Sequence, residues 1–244
     1  MIKKWWFGFL IIGIVFVTCD SDEFGFDDLP QDEQNQIDDE SIVEYLNDHY
    51  FDPDKGLIKK YDAEDEEDDD YPSLKSLGIK LNSGVWIIKR PGVVAEGPAV
   101  TDNTTDSILI SYNSTRFKAT NDLEAGEKSY GKYSSNFFNT IYSSGTPAWD
   151  PVFYYQEITE SMTDNGVDMS YFLIEGFLEG LKEFKSTQTN GTDVYNFQGA
   201  IVVPSRAAYG RDLVFINGVL DQSTYRDNCF VFNFELHKVL QRAE

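Results

Sequence analysis

One amphipathic segment, YFLIEGFLEGLKEF, stands alone among short aromatic and β-branched runs, and this arrangement restricts the fold more than any other feature. Within it, Phe177, Leu181 and Phe184 recur at helical spacing, which predicts a single apolar stripe. Turn residues separate the other runs, which predict strands: SGVWIIKR, SILISYNSTRF, PVFYYQEI and NCFVFNFELHKVL. Because one helix buries its stripe most simply against a sheet, the sequence predicts an α+β domain. We expect a curled antiparallel β-sheet wrapped around one short central helix.

The last of these runs alternates between apolar and polar side chains, which predicts one buried face and one solvated face. Phe230, Phe232, Phe234 and Leu236 fall on the apolar face, and Asn233, Glu235 and His237 fall on the polar face. His237 is therefore expected at the surface. His49 has no cysteine or second histidine nearby at ligand spacing, so the sequence predicts neither a zinc site nor a catalytic triad, and no cofactor.

The formal net charge is -22, and more than half of the 42 acidic residues lie between Asp20 and Asp70. Binding to nucleic acid requires clustered lysine and arginine, which this chain lacks, so nucleic acid is excluded as a partner. The stretch YDAEDEEDDDYP has no glycine at the turn position of a calcium loop and no closing glutamate. We interpret it as a solvated acidic loop.

The amino terminus reads MIKKWWFGFLIIGIVFVTCDSDEF, with two lysines, an apolar run from Trp5 to Val17, and then Cys19. Such a run spans only about 20 Å as a helix, short of the roughly 30 Å hydrocarbon core of a bilayer. The segment resembles a bacterial lipoprotein signal, which implies a lipid on Cys19 and a membrane anchor; the alternative is an ordinary signal peptide with an incidental cysteine. Cys229 is then a lone cysteine, expected as a small buried hydrophobe.

The six residues CDSDEF resemble the acidic export signal of surface lipoproteins in the Bacteroidetes. This resemblance implies an outer-membrane lipoprotein at the cell surface, and without such a signal we expect the periplasmic face of that membrane. We predict a signal peptide over residues 1–18, a flexible acidic tether over 19–40, a short helix and acidic loop over 41–75, and the folded domain over 76–244. The helix is expected to begin behind Asp39 or Ser41, because Ile42, Val43 and Leu46 follow at helical spacing.

Three pieces of the folded domain occur in a recognisable order: LIEGFLEGLKEFK, then VVPSRAAYG, then FVFNFELHKV. In this order they resemble the C-terminal half of FKBP-type peptidyl-prolyl isomerases, and NSGVWIIKRPG, SILISYNS and SGTPAWDP resemble earlier parts of that family. The chain departs from the family in a long insertion between Tyr112 and Trp149 and in an enlarged turn after the helix. It also departs in the loop after Gly210, which overhangs the pocket in the family.

The resemblance implies six site residues. Tyr209 matches a phenol that donates to the substrate, and its hydroxyl is expected to act only when substrate is present. The others are Ile174, whose backbone N–H holds the substrate carbonyl, Phe177 as the pocket floor, Phe232 as a wall, Tyr112 at the entrance, and Asp150 as the pocket aspartate.

The implied function is cis–trans isomerisation of X-Pro bonds in exported proteins, with proline-containing polypeptides as partners. A second interpretation is a binding module that holds a proline-containing segment or a partner protein without turnover. A third is a structural lipoprotein whose pocket is filled by its own insertion. The sequence leaves the oligomeric state open.

Overall fold

The structure is a computed structural model that describes residues 26–142, 145–190 and 195–242. The chain divides into two units, Met1–Pro30 and Gln31–Glu244, and every element named below belongs to the second. The predicted signal peptide and Cys19 lie outside the described residues. Within the described ranges, no helix has the length and apolar character needed to cross a membrane.

The described residues contain four α-helices and eleven strands, with short 3-10 turns between some of them. The helices are α1 (Gln31–Asn47), α2 (Leu74–Leu77), α3 (Glu160–Asp164) and α4 (Glu175–Leu181). The strands are β1 (His49–Phe51), β2 (Ile58–Lys60), β3 (Gly78–Lys80), β4 (Trp86–Lys89), β5 (Asp106–Lys118), β6 (Ser134–Asn139), β7 (Ala148–Trp149), β8 (Gly199–Val203), β9 (Val214–Ile216), β10 (Val219–Asp221) and β11 (Asn228–Gln241).

Seven strands form one sheet in the order β3-β4-β8-β11-β5-β6, with β7 also paired to β5. The long strands β5 and β11 run side by side from Asn228↔Lys118 to Gln241↔Asp106, with one irregularity between Leu236 and Lys238. The described pairings are antiparallel. The α+β class, with an antiparallel sheet and few helices, is therefore confirmed. Two further hairpins, β1–β2 and β9–β10, stand outside this sheet.

Helix α4 packs on one face of the sheet, which we call the inner face. Phe177 and Leu181 are fully buried there beside Phe232 and Phe234 of β11, as the periodicity predicts. A methyl group on Gly180 would lie 2.7 Å from Ile201, so this glycine permits the close approach of α4 to β8. The run PVFYYQEI, which we predicted as a strand, instead forms a turn in which the Pro151 carbonyl accepts from Tyr154.

Helix α1 packs on the opposite, outer face, where Ile42 and Leu46 join a second apolar core with Phe117 and Val231. The structure begins this helix at Gln31, within the predicted tether, and buries residues as far forward as Gln34. Residues 31–40 are therefore helical, and the expectation of a flexible tether up to residue 40 is corrected for them. The hydrophobic pattern misses this part because its buried face is partly polar: Gln34, Ile37, Asp38, Ser41, Ile42, Tyr45 and Leu46.

The predicted polar face of β11 is also covered, so the expectation of a solvated face was wrong. Asn233 donates to the Gly56 carbonyl at 3.0 Å, and Glu235 accepts from the Asn196 backbone at 2.6 Å. His237, expected at the surface, is fully buried and lies 2.8 Å from the Ser111 hydroxyl. The hairpin β1–β2 and the segment after α4 cover these side chains and satisfy their polar atoms.

Candidate functional site

The turn that follows β8 presents Tyr209. Strand β8 ends at Val203, Pro204 follows, and the Ser205 carbonyl accepts hydrogen bonds from Ala208 N at 3.0 Å and Gly210 N at 2.9 Å. Gly210 adopts φ +56°, a backbone conformation that glycine reaches without steric penalty. This hydrogen-bonded turn directs the Tyr209 ring toward the inner face.

The Tyr209 side chain is only 6% exposed, and its hydroxyl donates to the Phe172 carbonyl at 2.8 Å. Its ring stacks on Tyr225 at 5.3 Å and meets the edge of Phe230 at 5.6 Å. Burial raises the pKa of the phenol, so it remains a protonated donor at neutral pH. We expected this hydroxyl to act only on substrate, but it already has a partner within the chain.

Three of the predicted aromatic and apolar site residues converge near the amino end of α4. The Phe177 and Phe232 ring centroids are 4.6 Å apart, and both side chains are fully buried. Tyr112, from β5, is 7% exposed, and burial raises its pKa to about 12. The fold therefore brings these three side chains to one place.

A fourth ring, Phe153, lies among these three and was not predicted. Its centroid is 5.3 Å from that of Tyr112, 5.1 Å from that of Phe177 and 5.0 Å from that of Phe232, and its side chain is 1% exposed. We call Tyr112, Phe153, Phe177 and Phe232 the aromatic cluster. Phe153 belongs to the turn that starts at Pro151, and its position depends on contacts with three distant segments rather than on local periodicity.

Ile174 caps the amino end of α4, with its carbonyl accepting from Phe177 N at 2.9 Å. Its own N–H donates to the Phe153 carbonyl at 3.0 Å. This is the N–H to which the resemblance gives the role of holding a substrate carbonyl. Both predicted donors, the Ile174 amide and the Tyr209 hydroxyl, are therefore paired with carbonyl groups of the chain itself.

The structure places the Asp150 carboxylate in a polar network with β5 and Arg242. It accepts from Arg242 at 2.7 Å, from the Ser107 hydroxyl at 2.8 Å and from Ile108 N at 2.8 Å. Ile108 lies four residues before Tyr112 on β5, which is about 13 Å along an extended strand. The described partners of Asp150 thus hold Arg242 against β5 and include no member of the group formed by Tyr112, Phe153, Phe177 and Phe232.

Two cavities flank the site, and Leu173 and Glu175 line both of them. One, of about 440 Å³, is also lined by Tyr209 and by Ala207 and Ala208 of its turn. The other, of about 320 Å³, is also lined by Phe153, Ile174 and Leu178. Each paired donor therefore lies beside space that a ligand could enter.

The loop after Gly210 forms the hairpin β9–β10, with its turn at Asn217 and Gly218, both at positive φ. We did not predict this hairpin, although an Asn-Gly pair between two apolar runs is a strong hairpin signal and could have identified it. The hairpin packs on the site, because Phe215 meets the edge of Phe172 at 5.5 Å. Among the described residues, no group of three or more acidic, histidine or cysteine side chains could hold a metal ion.

No protein-family model matches this sequence, and comparison with characterised proteins by sequence gives no match. Among solved structures, the chain is similar to FkpA from Escherichia coli, with 21% identity over 68% of this chain and 52% of FkpA, at a TM-score of 0.34. This chain thus spans about half the length of FkpA.

It is also similar to a peptidyl-prolyl cis-trans isomerase from Pseudomonas syringae pv. tomato, with 12% identity over 88% of this chain and 98% of that one, at a TM-score of 0.39. AtFKBP13 shows 16% identity over 66% of this chain and 97% of its own, at a TM-score of 0.31. These are structural similarities at low sequence identity, and they assign no role to any residue of this chain.

Proposed function

We propose that this chain is a peptidyl-prolyl cis–trans isomerase of the FKBP type that acts on X-Pro bonds of exported polypeptides. The observation that carries the proposal is the meeting of rings from four separate segments beside two donors at the amino end of α4. The barrier to rotation, about 18 to 20 kcal/mol, arises from amide resonance, so the reaction needs neither a nucleophile nor a cofactor. An apolar pocket disfavours the strongly dipolar planar amide more than the twisted one, which supports catalysis by these residues.

Substrate has to displace part of the chain from this site. The prolyl ring takes the place of the Phe153 ring in the aromatic cluster, and a substrate carbonyl takes the place of the Phe153 carbonyl on the Ile174 N–H. The cavity of about 320 Å³ beside Phe153 gives that ring room to move. The Tyr209 hydroxyl then exchanges its bond to the Phe172 carbonyl for one to the substrate.

A second candidate is a module that binds a proline-containing segment or a partner protein without turnover. The pairing of both donors within the chain supports it in one respect, because only a polypeptide that binds tightly displaces two internal hydrogen bonds, and a tightly held polypeptide is released slowly. A site kept closed by Phe153 is a variant of the third interpretation, a structural protein with a self-filled pocket, although Phe153 follows the insertion between Tyr112 and Trp149 that was expected to fill it.

The deciding experiment measures cis–trans exchange of an X-Pro tetrapeptide by NMR with the full chain, and compares Tyr209→Phe with Tyr130→Phe. The two tyrosines are equally buried, at 6% exposed, but the Tyr130 hydroxyl donates to Asp48 on the outer face. An isomerase accelerates exchange over buffer. Tyr209→Phe then lowers the rate by up to about tenfold while Tyr130→Phe does not, because one positioned hydrogen bond contributes about 0.5 to 1.5 kcal/mol. Binding without acceleration selects the binding module, and neither binding nor acceleration selects the self-filled pocket.

We also propose that Cys19 carries a lipid that anchors the protein in the outer membrane, with the acidic residues after it directing it to the cell surface. The order of lysines, apolar run and cysteine supports the anchor. Such a location places the site among exported polypeptides, whose X-Pro bonds isomerise only over tens to hundreds of seconds without a catalyst.

A further inference from the structure

A carboxylate of helix α1 is buried against the turn that carries Tyr209. Asp38 is fully buried, and its Oδ2 accepts from the Ser205 backbone N–H at 3.1 Å and from the Ser205 hydroxyl. Its Oδ1 accepts from Gln34 Nε2 at 2.9 Å. Burial raises the pKa of Asp38, and the hydrogen bonds from Ser205, Gln34 and Cys229 oppose that rise. One carboxylate oxygen of Asp38 is therefore committed to the start of the turn, and the other is bonded to Gln34 of the same helix.

Ser205 in turn closes the backbone around Tyr209. Its carbonyl accepts from Ala208 N at 3.0 Å and from Gly210 N at 2.9 Å, the two residues on either side of Tyr209. A shift of Ser205 therefore moves both neighbours of the tyrosine, whereas the strand before Pro204 is held separately by β4 and β11.

The residue after Ser205 is held by the same helix. Arg206 forms an ion pair with Asp39 at 2.8 Å and donates to the Asn35 carbonyl at 3.3 Å. The adjacent residues Asp38 and Asp39 of α1 thus bind the successive residues Ser205 and Arg206 of the turn, and 167 positions of the chain separate Asp38 from Ser205.

We propose that Asp38 is a positioning residue for Tyr209: by holding Ser205, it fixes the turn that directs the phenol at Phe172 or at a bound polypeptide. Helix α1, which lies in the acidic amino-terminal part of the sequence, is then part of the functional unit. The effect on substrate rests on the proposed function, but the effect on the turn does not.

If Asp38 had only a general structural role, its removal would loosen the whole domain equally. The test therefore compares amide hydrogen exchange in the turn with exchange in the sheet. The variants are Asp38→Ala, which removes both acceptors, Asp38→Asn, which keeps one, and the control Ile42→Ala. Ile42 lies on the same helix and is equally buried, but its side chain makes no hydrogen bond to Ser205. Amide hydrogen exchange is measured at Ala208 and Gly210 and, for the sheet, along β11.

In Asp38→Ala we expect exchange at Ala208 and Gly210 to accelerate about tenfold more than exchange along β11, with a smaller excess in Asp38→Asn and none in Ile42→Ala. If the turn and the sheet accelerate equally in Asp38→Ala, or if the turn does not change, the proposal is overturned. Should Asp38→Ala fail to fold, Ser205→Ala, which removes only the hydroxyl donor, must show the same local excess at a smaller size.

The consequence for substrate is measured as kcat/KM for the X-Pro tetrapeptide. We expect kcat/KM of Asp38→Asn to be about fivefold lower than that of Ile42→Ala when both variants are measured at a temperature where they are equally stable. The loss should lie in kcat more than in KM. An unchanged kcat/KM despite a loosened turn overturns the role toward substrate. If the wild-type chain neither binds nor isomerises the peptide, the proposed function fails, and the exchange comparison alone decides whether Asp38 positions the turn.

Discussion

The carbonyl oxygen of Phe153 accepts the backbone N–H of Ile174 at 3.0 Å, while the ring of Phe153 lies among Tyr112, Phe177 and Phe232. One residue thus occupies both the apolar space and the donor that a prolyl amide would need. Under the proposed function, binding at this site is a competition between a polypeptide from outside and the segment Pro151 to Tyr155.

Weakening the internal competitor should strengthen binding of substrate. In Phe153→Leu the smaller side chain buries less apolar surface in the aromatic cluster, so the closed arrangement loses about 1 to 2 kcal/mol of stabilisation. The Kd for an X-Pro peptide therefore falls about tenfold. Isothermal titration calorimetry measures this. Phe117→Leu is the control, because Phe117 is equally buried at 1% exposed but lies in the outer core. An unchanged or higher Kd for Phe153→Leu would contradict competition by Phe153.

Tyr209→Phe should lower stability even without substrate. The change removes the donor to the Phe172 carbonyl and leaves that buried acceptor unpaired, at a cost on the order of 1 to 2 kcal/mol. Urea unfolding of the wild type and the variant measures the difference. A loss within experimental error would mean that the hydroxyl is not bonded to Phe172 in the free protein and acts on substrate alone.

Stability should fall below neutral pH because of His49. Its ring stacks on Tyr45 at 3.9 Å, its Nδ1 lies 2.7 Å from the Tyr45 carbonyl, and burial lowers its pKa to about 4. The unfolded chain takes up a proton near pH 6.5 and the folded chain only near pH 4, so folding free energy is lost as pH falls through this window, by on the order of 3 kcal/mol.

His49→Gln keeps a donor for the Tyr45 carbonyl but does not titrate, so its unfolding free energy should lack this component. Urea titrations of both proteins at pH 7 and pH 4 give the difference, and the carboxyl groups that titrate in the same range are common to both. Parallel losses in the two proteins would show that His49 is protonated in the folded state.

Cys19→Ala should release the protein from membranes, because the proposed lipid attaches to that sulfur. Cell fractionation measures the share of protein in the membrane pellet. Cys229→Ala is the matched control, since Cys229 is a free and fully buried thiol of the outer core and should leave the anchor unchanged. If Cys19→Ala stays in the pellet to the same extent as Cys229→Ala, the lipid anchor is ruled out.

Local patterns in the sequence predicted the elements that depend on near neighbours. The stripe of Phe177 and Leu181 predicted α4 and its buried face, and the alternation from Phe230 to Leu236 predicted the inner face of β11. Side chains at these spacings share a face in any helix or strand, so one apolar core follows from the pattern. The motifs around Ile174 and Tyr209 likewise predicted two residues that lie at the site.

The burial and the hydrogen-bond partners of the polar side chains depend on contacts between segments distant in the sequence. Asp38 accepts a hydrogen bond from Ser205, which is 167 residues away, and Asn233 donates one to Gly56 at a separation of 177 residues. A polar residue in a sequence predicts a solvent-exposed side chain unless a buried hydrogen-bond partner is known. That partner is identified only in the folded chain. The buried start of α1 and the covered face of β11 were therefore out of reach of periodicity.

The state of the site was also decided by the tertiary structure. From the sequence by itself, the resemblance predicted that Tyr112, Phe177 and Phe232 would meet two donors near the end of one helix. Only the fold determined that the Phe153 ring fills the cluster and that the donors pair with Phe153 and Phe172. The physical reason is that a buried donor bonds to whichever acceptor packing brings within reach, and packing depends on all the segments at once.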